Sequence, residues 1–70
     1  MAESVLTSIK NQAFRRVVED GNTIQQLITN ADLQFSTGSI RKFQKTLEML
    51  SVVLGQLDSD LNVLMELTEP

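Results

Sequence analysis

Cysteine, histidine, tryptophan and tyrosine are absent from the sequence. The chain therefore forms no disulfide, and it lacks the thiolate and imidazole ligands of structural zinc sites. It also lacks the usual general base at neutral pH and the thiol nucleophile. We predict a protein that is not an enzyme, holds no metal or cofactor, and has no small-molecule substrate.

Long apolar runs are missing as well. No segment approaches the roughly 18 apolar residues of a membrane span, and the N-terminus has no basic stretch followed by an apolar one. We expect no contact with a membrane and a cytoplasmic location. The formal net charge of −3 argues against nucleic acid as the main partner, because phosphate binding requires a basic stripe.

The length of 70 residues is enough for one small domain. Such a domain buries only about 60% of the surface of its unfolded chain, and small scaffolds usually gain stability from disulfides, a metal or association. Composition excludes the first two. We therefore expect a protein partner, in a hetero-complex or a homodimer.

A heptad pattern dominates the second half of the chain. Apolar residues recur there at alternating intervals of three and four positions, at Ile40, Phe43, Leu47, Leu50, Leu54, Leu57, Leu61 and Leu64. This spacing predicts a helix whose apolar stripe packs against another helix, as in a coiled coil. We interpret these eight residues as the seam of that helix.

The segment Ser36–Ser39 gives the clearest turn signal. Gly38 suits the left-handed position that ends a helix, and Thr37 or Ser39 can cap the next one. The first half carries a helical stripe of its own, so the sequence predicts an all-α fold, an antiparallel, coiled-coil-like hairpin that forms one domain. Its expected parts are a helix at about 4–35, a turn at 36–39 and a second helix at about 39–67.

One interruption in the first stripe leaves a second possibility. Asp20 takes the stripe position between Val17 and Ile24, and the Gly21-Asn22-Thr23 segment that follows resembles a helix stop and a new cap. A break or kink at Gly21 would give three helices. We favour a continuous first helix, because the stripe keeps its phase across Gly21 and a mid-helix glycine costs only about 1 kcal/mol relative to alanine.

The second helix carries more apolar residues than one seam requires. We predict that the surplus forms a partner-binding flank, because exposed apolar patches usually mark interfaces. Its residues are Met49, Val52, Val53, Val63 and Leu67. Such a flank indicates a protein–protein interaction module, a small co-chaperone or adaptor that binds a helical partner.

An alternative function uses the basic residues. A homodimeric four-helix bundle could act as a regulator that binds RNA or DNA through the basic side chains of the first helix and the turn. The candidate contacts are Lys10, Arg15, Arg16, Arg41, Lys42 and Lys45.

The residues around the turn form a short pattern, Phe35, Gly38, Phe43 and Gln44, followed by the Leu47–Leu57 repeat. In this pattern the chain resembles the small E-type co-chaperones of type III secretion needle subunits. The resemblance implies an antiparallel hairpin that joins a larger helical-repeat chaperone. Together the two proteins would keep the needle subunit unpolymerised in the bacterial cytoplasm.

Overall fold

The computed structural model describes the backbone from residue 2 to residue 70 and the side chains from residue 5 onward. It contains two helices, α1 (Ala2–Ser36) and α2 (Ile40–Thr68). They pack against each other as an antiparallel hairpin that is 55 Å long and 14 Å across. The predicted all-α hairpin is therefore confirmed.

Helix α1 passes through Gly21 without interruption. The three-helix alternative is wrong, because α1 remains helical on both sides of Gly21 and keeps one stripe in contact with α2. That packing offsets the propensity cost of a mid-helix glycine, about 1 kcal/mol. A Cβ added at Gly21 would meet no heavy atom within 4 Å, so no close contact requires a glycine there.

The turn ends α1 with two hydrogen bonds that run backwards along the chain. The Ser39 amide donates to the Gln34 carbonyl at 2.9 Å, and the Gly38 amide donates to the Phe35 carbonyl at 3.3 Å. Gly38 has a φ of 76°. This is a Schellman motif, which satisfies carbonyls that the last turn of a helix leaves unpaired. Ser39 precedes α2, but its side chain makes no capping hydrogen bond, contrary to our expectation.

Replacing Gly38 by alanine is expected to lower the free energy of unfolding by about 1 to 2 kcal/mol, because an L-residue is strained at this φ. The strain is purely conformational, since an added Cβ would meet no heavy atom within 4 Å. Gly55→Ala is the matched control. Gly55 is helical and its Cβ position is also open, so this change should stabilise the protein by up to about 1 kcal/mol. Urea unfolding followed by circular dichroism measures both, and a common sign would contradict the prediction.

We call a set of residues that recur every seven positions along a helix a column. One of the two columns that form the seam of α2 is not the one predicted. The less exposed residues of α2 recur at Phe43, Thr46, Leu50, Val53, Leu57, Asp60, Leu64 and Leu67. Four predicted seam residues belong to this series: Phe43, Leu50, Leu57 and Leu64. The other four are 38–49% exposed, and their assignment to the seam was wrong: Ile40, Leu47, Leu54 and Leu61.

The four seam residues were assigned wrongly because two positions of the true seam hold polar residues. Thr46 and Asp60 occupy seam positions where a sequence pattern leads us to expect apolar side chains. The neighbouring column, which includes Leu47 and Leu61, is uniformly apolar and has the same spacing of seven. Periodicity alone cannot distinguish two adjacent columns that repeat with the same period.

The seam on α1 has the same alternating spacing, at Lys10, Ala13, Val17, Asp20, Ile24, Leu27, Ala31 and Gln34. In heptad terms, the a positions include Val17 and Phe43, and the d positions include Ala13 and Thr46. Among the residues whose side chains are described, only four are buried: Ala13, Leu27, Ala31 and Thr46. The hairpin therefore has a thin core of mostly small side chains.

Candidate interaction face

The heptad e positions carry exposed apolar residues on both helices. They are Phe14, Ile28 and Phe35 on α1, and Ile40, Leu47, Leu54 and Leu61 on α2. In an antiparallel pair of helices, the e positions of both helices flank the a positions on the same side of the seam. We call these seven residues the apolar face. The ring of Phe35 lies 5.2 Å from that of Phe43, an a residue of α2, which fits this arrangement near the turn.

The opposite side of the hairpin is more polar. Its g positions hold the polar residues Arg16, Thr23, Asn30, Lys42 and Gln56, together with the apolar Ile9, Met49 and Val63. The d positions lie next to this polar side, and four of them are also polar. The a positions lie next to the apolar face, and they are all apolar from Val17 to Ala31 and from Phe43 to Leu64. The hairpin as a whole is therefore amphipathic, with one apolar side and one polar side.

One polar pair in the d column is satisfied within the hairpin. The hydroxyl of Thr46 donates to Gln34 Oε1 at 2.7 Å, and the Lys42 backbone carbonyl is a second acceptor at 3.0 Å. Thr46 is buried and Gln34 is half-buried. This hydrogen bond joins the two helices close to the turn and removes the cost of burying the hydroxyl without a partner.

The second polar pair consists of two carboxyl groups, Asp20 on α1 and Asp60 on α2, both half-buried. A hydrogen bond that the two carboxyl groups form when one of them holds a proton raises the pKa of Asp20 above its ordinary value of 3.8. Burial and the negative charges of Asp60 and Glu19 raise that pKa further. The Asp20 Oδ2 atom is buried and has no donor among the described residues, so a proton shared with Asp60 would supply the missing hydrogen bond.

The five residues predicted to bind a partner do not form one surface. Met49, Val52 and Val63 are exposed, and they occupy c and g positions on the polar side. Val53 and Leu67 are half-buried at d positions of the seam, where they pack towards α1. The structure thus directs two of the five inward. A role in partner binding stays a prediction for the exposed three.

The basic residues form two separate groups. Lys10, Arg15 and Arg16 lie towards the open end of the hairpin, while the other three lie beside the turn: Arg41, Lys42 and Lys45. Twenty residues of α1 separate Arg16 from the turn, which corresponds to about 30 Å of helix. Lys10 is half-buried at a seam position. The six residues are therefore not brought together into one patch.

The sequence prediction of the partner-binding residues included none of the seven residues of the apolar face. The four on α2 had been assigned to the seam, and the three on α1 had not been assigned to a binding surface. Phe14, Ile28 and Phe35 follow a spacing of seven, with Gly21 in the remaining place. A second signal was that polar residues lie at equal sequence distances on the two sides of position 40. Gln34 and Thr46 each lie six residues from position 40, and Asp20 and Asp60 each lie twenty from it. A hairpin folded about position 40 brings these polar residues together, and this would have identified the d column.

No protein-family model, curated protein or solved structure matches this chain. Within the described residues, neither helix contains a stretch long and apolar enough to cross a membrane. The same residues contain no group of three or more acidic side chains placed to hold a metal ion.

Proposed function

We propose that this chain is a protein–protein interaction module whose apolar face binds a helical partner. The observation that carries the proposal is the alignment of apolar e residues from both helices on one side of the hairpin. Helices with apolar a, d and e positions are typical of bundles with more than two helices, whereas a two-stranded coiled coil needs only a and d. The hairpin thus has the pattern of half a bundle.

The thin core supports the same proposal. The side chains of Leu47, Leu54 and Leu61 leave 38–48% of their surface exposed, and the buried residues of the seam are mostly small. Monomeric proteins rarely expose a continuous apolar surface that runs along a whole element. A partner that covers this face would remove seven large apolar side chains from water, at a gain of about 25 cal/mol per Å² of apolar surface.

A role as a co-chaperone or adaptor is the form of this function that we propose. Such a protein lends an apolar helical surface to another protein, which the apolar face can do. The resemblance to needle-subunit co-chaperones suggests one setting for it. Nucleic-acid binding has less support, because the six basic residues lie in two groups about 30 Å apart along the hairpin.

Site-specific photo-crosslinking tests the proposed function. A photoreactive phenylalanine analogue is placed at Leu54 on the apolar face, or at Gln56, which is exposed on the polar side of the same helix. Both variants are expressed in the cells that produce the chain and are irradiated there. We expect a crosslinked protein product from position 54 and much less from position 56. Equal yields from both positions, or no product from either, would contradict the proposal.

A further inference from the structure

We propose that the apolar face binds the same face of a second copy of this chain, and that the two hairpins lie antiparallel in a four-helix bundle. This inference rests on the proposed function, an apolar face that binds helices, and names a second copy as the partner that covers the face in the purified chain. A different protein that used the same face would have to displace that copy. The inference is carried by the extent of the face along both helices, by its lack of charge and by the distribution of charge along the hairpin.

The shape of the face suits a bundle of four helices. The face spans 21 residues of each helix, about 32 Å, and the hairpin is 14 Å wide, which gives about 450 Å² for each copy. This is smaller than the roughly 800 Å² that each partner buries in an interface of standard size, so we expect a dimer that forms at high chain concentration. The face extends along both helices, from Phe14 to Phe35 and from Ile40 to Leu61, so docking would place four helices around one apolar core.

The lack of charge favours a second copy over an unlike partner. In a two-fold symmetric interface each patch meets a copy of itself, so any charged residue near the symmetry axis would meet a like charge. The seven residues of the apolar face are all uncharged, and so are the a residues beneath them from Val17 to Leu64. The face therefore meets its own copy without like-charge repulsion, and it offers no charge by which a different partner would be selected.

The charge distribution along the hairpin selects the antiparallel orientation. Residues 21–59, the half that contains the turn, carry three basic and three acidic side chains and are neutral. The remaining residues carry three basic and six acidic side chains, a net charge of −3 at the open end. A parallel dimer would place two such ends side by side. An antiparallel dimer places each acidic end beside a neutral end, which reduces repulsion within the Debye length of about 8 to 10 Å.

The mass of the purified chain tests the dimer. Sedimentation equilibrium at about 100 µM, above the micromolar Kd range, should give about 15.6 kDa, twice the chain mass of 7.8 kDa. Leu54→Asp introduces a charge into the face and should halve that mass. Gln56→Asp, on the polar side of α2, should leave it unchanged. Circular dichroism checks that both variants stay helical. A wild-type mass of one chain, or of three or more, would overturn the proposal whatever the variants do.

Introduced cysteines test the orientation, and the absence of native cysteine makes each label unique. Ile40 and Thr68 are 28 residues apart on α2, a distance of about 42 Å, which is far longer than a short bis-maleimide reagent can span. An antiparallel dimer should crosslink only when Ile40→Cys and Thr68→Cys chains are mixed. Efficient crosslinking of either variant with itself would show parallel hairpins and overturn the proposed orientation.

The two proposals fail in different ways. If the purified chain is a monomer and position 54 crosslinks to a different protein in cells, the second-copy inference is wrong and the proposed interaction function stands. If the purified chain is a monomer and position 54 crosslinks to nothing, both are wrong. A crosslinked product of twice the chain mass, formed at position 54, supports both.

Discussion

Leu27→Ala is expected to lower the free energy of unfolding by about 2 to 4 kcal/mol, the usual cost of truncating a buried leucine. Leu27 is the largest buried side chain among the described residues, with 8% of its surface exposed, and it occupies a d position in the middle of α1. The thin core offers few neighbours that could move into the cavity. Because native domains are only marginally stable, this loss would unfold a large fraction of the protein near its working temperature.

Leu33→Ala is the control for this prediction. Leu33 lies on the same helix at a c position and is 64% exposed, so its truncation should change stability by no more than about 0.5 kcal/mol. Urea denaturation at a fixed chain concentration measures both variants. Equal losses from Leu27 and Leu33 would show that the seam assigned to α1 is wrong.

Stability is expected to rise as the pH falls from about 7 towards 4, because of the pair formed by Asp20 and Asp60. The pKa of Asp20 is raised in the hairpin above its ordinary value of 3.8, so the folded protein binds this proton more tightly than the unfolded chain does. The stabilisation from the shared proton is complete below pH 3.8. It is lost as the pH rises through the raised pKa, where the carboxylates begin to repel each other.

Asp20→Asn isolates this effect. The variant has no proton to lose at position 20, so its stability at about pH 7 should exceed that of the wild type, and the difference should shrink towards pH 4. Asp58→Asn serves as the control, because Asp58 is an exposed carboxylate two residues from Asp60. Thermal unfolding by circular dichroism across this pH range measures the difference. A wild type that matches Asp20→Asn at every pH would contradict the assignment of a proton to the pair.

The sequence was sufficient to predict the two helices, the turn and their antiparallel packing. Each rests on a strong local signal: an apolar period near 3.5 in the helices and a glycine at Gly38, where the chain needs a positive φ. The continuity of α1 through Gly21 was also the favoured interpretation. It depended on the phase of the stripe, which reflects packing along the whole helix and outweighs one poor helix former.

The column of α2 that faces α1 could not be predicted from period alone. Two adjacent columns have the same spacing, and the more apolar one, with Leu47 and Leu54, is exposed in the hairpin. Choosing between them requires knowledge of which polar residues meet across the seam. The interaction face was misplaced for the same reason: Val53 and Leu67 were assigned to a free flank because Leu54 and Leu61 had been assigned to the seam.

The two polar pairs, Gln34 with Thr46 and Asp20 with Asp60, oppose sliding of the two helices along each other. A slip of one heptad would set Asp20 against Val53 and Thr46 against Leu27, so a carboxylate and a hydroxyl would each lose a polar partner. In the observed register Thr46 bonds to Gln34 across the seam, and Asp20 lies against Asp60. The pairs therefore specify the register of the two helices, because a slip leaves polar side chains in the seam without polar partners.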